Sequence, residues 1–181
     1  MAFISAAVEG VSDEAVVRRL IDVRGAEVHR VQVQHGKQNL RRALPGYNGA
    51  AQGDPWLVLV DLDQDYACGP LLVADWLLAD ADRFSDFFGV ARQSVPEQPD
   101  DLPDAKAAVL VLAAQSSKRA IRDDMVPRPR SGRRVGPAYT SRMMEFATRP
   151  ADGWRPDIAA TRSPSLSRCI TRLDELIAAA P

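Results

Sequence analysis

The chain is short of the residues on which several kinds of protein chemistry depend. Of its 181 residues only two are cysteines, Cys68 and Cys169, and two are histidines, His29 and His35. Two isolated thiols are too few for a disulfide framework and wrongly spaced for a zinc ribbon, so both are expected to be reduced and inert. A histidine-based triad or zinc site would have to use one of the two imidazoles. Charge of one sign is lacking too, since 23 lysines and arginines stand against 24 aspartates and glutamates. A surface for a polyanion must therefore come from local segregation of charge. No stretch approaches the roughly 18 uncharged apolar residues of a membrane span. The opening MAFISAAVEG has no basic n-region, so a cytoplasmic protein with no membrane partner is expected.

What is present suits a folded domain. A hydrophobic content of 46% with 26% charged residues excludes disordered, collagen-like and coiled-coil classes. The length accommodates one core-bearing domain and a C-terminal appendage.

The first sixty residues alternate between strand and helix patterns. Residues 3–8 form an apolar run, and Glu9-Gly10 turns the chain into a helical pattern over 12–24, capped by Ser12 and closed by Gly25. Residues 27–34 alternate as a strand does. A short helix over 38–44, a loop over 45–55 rich in Gly, Asn and Pro, and a continuous apolar strand over 56–60 follow. A βαβαβ order with right-handed crossovers makes a parallel sheet flanked by helices, so an α/β core over 1–95 is expected. Beyond it the pattern predicts a helix over 71–88, a proline and acid linker over 96–103 and an amphipathic helix over 104–122. An irregular basic stretch over 123–136 follows, then helices over 138–147 and 165–179, the last capped by Ser163 or Ser165. Residues 96–181 thus read as a helical C-terminal extension carrying a basic loop, packed on the core.

Parallel α/β sheets gather ligands at the carboxyl ends of their strands. Glu9 follows the first strand, and Asp61 and Asp63 follow the third. If the third strand lies beside the first, the three carboxylates crowd at one edge, and protons or a hard divalent cation, magnesium or manganese, must neutralise them. Asp65, Asp13 and Glu14 read instead as local helix-capping and first-turn acids. Acids at strand ends also arise for such local reasons alone.

These residues carry a resemblance. The strings VEGVSDE, Val8 to Glu14, and VLVDLDQD, Val58 to Asp65, resemble the two signatures of the TOPRIM domain of topoisomerases, primases and OLD-family nucleases. Gly36-Lys37 also fits. The wider text, with GKQNLRRALPGYNGAA, WLLAD, MVPR, VGPAY and SLSRCI, is similar to an uncharacterised bacterial TOPRIM-like family over nearly the whole chain. The resemblance implies a magnesium-dependent phosphoryl-transfer site, with Glu9 as a ligand or general acid/base and Asp61 and Asp63 as metal ligands. The metal would polarise a phosphodiester and activate water. One departure stands out. The family would hold a fourth strand ending in an acid just before the Trp-Leu-Leu-Ala-Asp segment; here that strand is missing, Ala74 stands in the acid's place, and Asp75 could substitute only in part.

Lys118, Arg119, Arg122, Arg128, Arg130, Arg133 and Arg134 form a basic cluster opposed within it only by Asp123 and Asp124, suited to gripping phosphates together with Lys37. Its plainer reading is a solvated loop whose arginines pair with the acids at 97–104. Tyr139, Trp154 and Trp76 read as packing aromatics. Two functions compete: a metal-dependent nuclease or phosphotransferase acting on nucleic acid, and a non-catalytic module docking onto a partner such as an ATPase. The chain is not itself expected to bind a nucleotide cofactor, because VLVDLD has no accompanying Walker A loop. A receiver-like phosphoacceptor domain fails for want of a strand ending in lysine.

Overall fold

The computed structural model describes residues 1–61 and 73–180. Three strands, β1 (Phe3–Val8), β2 (Glu27–Val33) and β3 (Trp56–Leu59), form a parallel sheet in the order β2-β1-β3. Helix α1 (Val11–Val23) crosses from β1 to β2, and α2 (Lys37–Ala50) from β2 to β3. The central strand β1 is buried from Ile4 to Val8. Ile4, Ala6 and Val8 enter the main apolar core, and strand alternation sends Ser5 and Ala7 to the opposite face.

Two local expectations need correction here. Helix α1 is capped at Gly10 rather than Ser12: the Asp13 carboxylate reaches back to accept from the Gly10 amide at 2.8 Å, and the Ser12 hydroxyl donates to that same carboxylate. The supposed loop over 45–55 is largely helix, because α2 runs through Pro45 to Ala50. Leu40 is its one buried residue, so the missing amide donor falls on a solvent-facing helix, where it costs least.

The remaining chain is helical: α3 (Val73–Ala79), α4 (Ala81–Phe88), α5 (Ala105–Ala114), α6 (Arg119–Met125), α7 (Tyr139–Thr148), α8 (Pro156–Ala160) and α9 (Pro164–Ala179). Two helices expected to be continuous are each broken in two by side chains with tertiary partners. Asp80 separates α3 from α4; its carboxylate accepts from the Arg83 amide and forms a fully buried end of an ion pair with Arg155. Ser116 separates α5 from α6, donating to the Phe88 carbonyl at 2.5 Å while Ser117 N donates to Gly89 O at 2.7 Å. Helix α8, which the sequence pattern did not suggest, begins at Pro156, whose missing amide donor is harmless in a first turn. Of the two serines offered as caps for the last helix, Ser163 caps α9, its hydroxyl accepting from the Leu166 amide.

One apolar core includes Ile4 and Val8 of the sheet, Leu20 of α1, Phe84 and Phe88 of α4, Phe146 of α7 and Leu173 of α9. The segments 1–95 and 96–181 therefore share it. Trp154 is fully buried and donates from Nε1 to the Trp76 carbonyl at 2.9 Å; Trp76 Nε1 donates to Ser165 Oγ at 2.7 Å. Among the described residues no helix is long and apolar enough to cross a membrane.

Candidate functional site

Because β1 and β3 are neighbours and parallel, with Val8 opposite Leu59, the turns that follow them leave one edge of the sheet. Glu9 lies one residue past its strand's last pair and Asp61 two residues past the other. Adjacent strands are about 4.8 Å apart. Lys37 opens α2 at this same edge, where the preceding Gly36 amide donates to the Glu9 carbonyl at 3.1 Å. Asp63 and Asp65, like Cys68, lie outside the described residues. Among the described residues no group of three or more His, Cys, Asp or Glu side chains could hold an ion.

Asp61 opens onto a cavity of about 120 Å³. Its walls bring Ser12 and Asp13 of α1, Ala74 and Leu77 of α3, Lys106 of α5, and Tyr139 and Thr140 of α7 to one place. That volume is below the roughly 300–1,000 Å³ of a small-molecule pocket, so the cavity suits an ion or one end of a phosphate rather than a whole nucleotide. Asp61 Oδ1 accepts from the Val73 amide at 3.1 Å. Burial raises the Asp13 carboxyl above its ordinary value, against the lowering effects of the Gly10 amide, the Ser12 hydroxyl and the Lys106 charge. The Tyr139 phenol is also raised, first by burial and then by the negative charges of Asp104 and Asp61. Lys106 Nζ stands 6.0 Å from the centre of the Tyr139 ring.

Asp13 is the first-turn capping acid expected of it, and it is in addition buried and part of the cavity wall. Ala74, where the resemblance led to the expectation of an acid, lines the cavity, whereas Asp75 is fully buried and is not among the described residues lining it. Lys106 and Thr140 escaped notice in the sequence because nothing local marks them, and Tyr139, expected as a packing aromatic, is buried and also lines the cavity; chain segments far apart in sequence bring all three to Asp61. Cys169 fits the inert reading, its thiol pushed up to about 11 by burial.

The basic cluster divides. Lys118 donates to the Asp86 and Phe87 carbonyls at the end of α4, and Arg122 donates to the Ser116 carbonyl, so both have structural duties. Arg119 pairs with Asp123 on the surface at 3.3 Å. Asp124 does not oppose the loop, because it accepts from Arg142 at 2.7 Å. Arg128, Arg130, Arg133 and Arg134 are exposed and make no ion pair among the described residues. They do not pair with the acids at 97–104: Asp100 holds Ser163 and Ser165, and Asp104 caps α5. Arg128 also lines an open groove of about 490 Å³ with Arg119 and Arg122.

Compared with protein-family models, curated proteins and solved structures, the chain matches none of them.

Proposed function

We propose that the protein is a magnesium- or manganese-dependent nuclease or phosphotransferase of TOPRIM type acting on nucleic acid, with Glu9, Asp61 and Asp63 as its acidic centre. The observation that carries this reading is the pairing of β1 with β3, which sends Glu9 and Asp61 to one sheet edge with Asp61 in a cavity wall. Hard carboxylate oxygens suit a hard divalent cation, and the bound ion would polarise a phosphodiester and activate water. Lys37 contributes positive charge at the same edge. The exposed arginines at 128–134 supply groups for the nucleic-acid backbone.

The test is the double variant Asp61→Asn/Asp63→Asn. Asparagine keeps an oxygen acceptor for the Val73 amide while removing two negative charges. The ion-free protein is expected to be no less stable, while magnesium-dependent thermal stabilisation and magnesium-dependent cleavage of DNA or RNA disappear. A magnesium-independent loss of roughly 1 to 3 kcal/mol for each buried hydrogen bond sinks the metal reading. That outcome favours a non-catalytic module for a protein partner such as an ATPase. One observation speaks for this alternative: Lys106 brings a resident positive charge to Asp13, reducing the demand for an ion.

Replacing Arg128, Arg130, Arg133 and Arg134 with alanine is expected to flatten the salt dependence of nucleic-acid binding. For every phosphate that an arginine no longer meets, the slope of log K against log salt should fall by about one. An unchanged slope and affinity would remove the loop from the interface.

A further inference from the structure

A second charged groove, of about 470 Å³, lies between β2, α2 and the start of β3. Arg30, Gln32, Arg42, Tyr47 and Trp56 line it. Trp56 begins β3 and Asp61 follows its end, so along the strand the groove is about 16 Å from the acidic edge. The Tyr47 ring stacks on Trp56 with centroids 4.7 Å apart and planes 30° apart, and the Arg30 guanidinium carbon lies 5.0 Å from the Trp56 ring centre. Gln34 Nε2 donates to the Tyr47 hydroxyl at 2.6 Å, fixing the ring's outer end. Trp56 Nε1 is buried with no partner among the described residues, so the indole is located by stacking rather than by a hydrogen bond.

The groove's charge is one-sided. Arg42 is exposed and pairs with no acid among the described residues, and Arg30 meets only Asp54, across 3.9 Å with about half of each side chain in solvent. An exposed pair that loose is readily exchanged for a phosphate. Stacked aromatics extended by a guanidinium plane, beside a second arginine, are what unpaired bases on a charged backbone recognise. A duplex hides its base faces and cannot use such a stack.

We propose that this groove binds single-stranded nucleic acid, with a base lying against the Arg30, Trp56 and Tyr47 stack and Arg42 meeting a phosphate. The proposal deepens the nucleic-acid part of the function given above and rests on that part, but not on catalysis.

The probe is a fluorescein-labelled ten-nucleotide thymidine strand, titrated into the full chain in EDTA at low salt and followed by anisotropy and tryptophan fluorescence. Trp76 and Trp154 are buried in the core, so quenching reports on Trp56. Binding with quenching is expected, and Trp56→Phe, which gives up no hydrogen bond, should abolish the quenching. Arg30→Ala/Arg42→Ala, at two exposed positions, should weaken binding about tenfold or more without changing the melting temperature. A ten-base-pair duplex should compete at least about tenfold less well than the single strand. Absent quenching, equal affinity in the arginine variant, or equal competition by duplex overturns the proposal. Repeating the titration with Asp61→Asn/Asp63→Asn separates the two readings. Quenching retained where no variant or condition gives cleavage condemns catalysis alone, whereas cleavage by the native chain without quenching condemns the groove alone.

Discussion

Arg155→Ala is expected to cost about 2 to 4 kcal/mol of folding stability. Its guanidinium donates to both Asp80 oxygens, at 3.0 and 2.6 Å, and Asp80 is fully buried between α3 and α4. Removing the arginine leaves a carboxylate without its countercharge, keeping only the backbone donors of Arg155, at 2.9 Å, and Arg83. The loss should stay below the roughly 3 to 5 kcal/mol of a wholly enclosed pair, because Arg155 is itself 38% exposed and water can enter the gap. Urea denaturation measures it. Adding Asp80→Asn to Arg155→Ala should recover a large share, since the amide keeps an acceptor for the backbone and carries no charge. If the double variant is no more stable than Arg155→Ala, the cost lies in packing and not in the stranded charge.

Gly136→Ala is expected to destabilise by about 3 kcal/mol, through a clash that the backbone cannot relieve. A Cβ there would stand 2.4 Å from both the Asp124 carbonyl oxygen and the Met125 carbonyl carbon. Both neighbours are held: Gly136 N donates to Met125 O at 2.8 Å, and Ala138 N donates to Asp124 O at 2.9 Å. These bonds close the base of the arginine loop. Gly132, at the loop's tip, is the control. Its φ of +68° favours glycine, but a Cβ would meet nothing within 4 Å. Gly132→Ala should therefore cost only about 1 kcal/mol, from backbone strain alone. Equal midpoints for the two variants would show that the close approach at Gly136 is not what holds the loop.

The parts of the fold that were legible are those fixed by neighbours in the chain. Hydrophobic runs over 3–8 and 56–60 with an alternating one between them, separated by segments of helical or turn character, allow little besides a parallel α/β arrangement. The structure has that arrangement as a three-stranded sheet flanked by helices. Glu9 and Asp61 were legible as strand-end acids for the same reason. Legibility failed where a side chain answers to something distant. The continuous helical patterns over 71–88 and 104–122 carry no local stop signal strong enough to reveal that Asp80 would turn to Arg155, or Ser116 to Phe88. Pro45 misled in the other direction, because an exposed helix tolerates a missing donor that a buried one would not.

By itself, then, the sequence determined the strand and helix periodicities, the cap of the last helix to within Ser163 or Ser165, and which acids leave the ends of β1 and β3. Only the tertiary structure decided that β3 packs beside β1 and that Asp13 is a buried wall facing Lys106 and Tyr139. It also decided that four arginines of the basic cluster make no ion pair among the described residues, while Lys118 and Arg122 serve the fold. The physical reason is range. Periodicity and capping act over three or four residues, whereas burial and ion pairing are settled by whichever groups the closed core brings together.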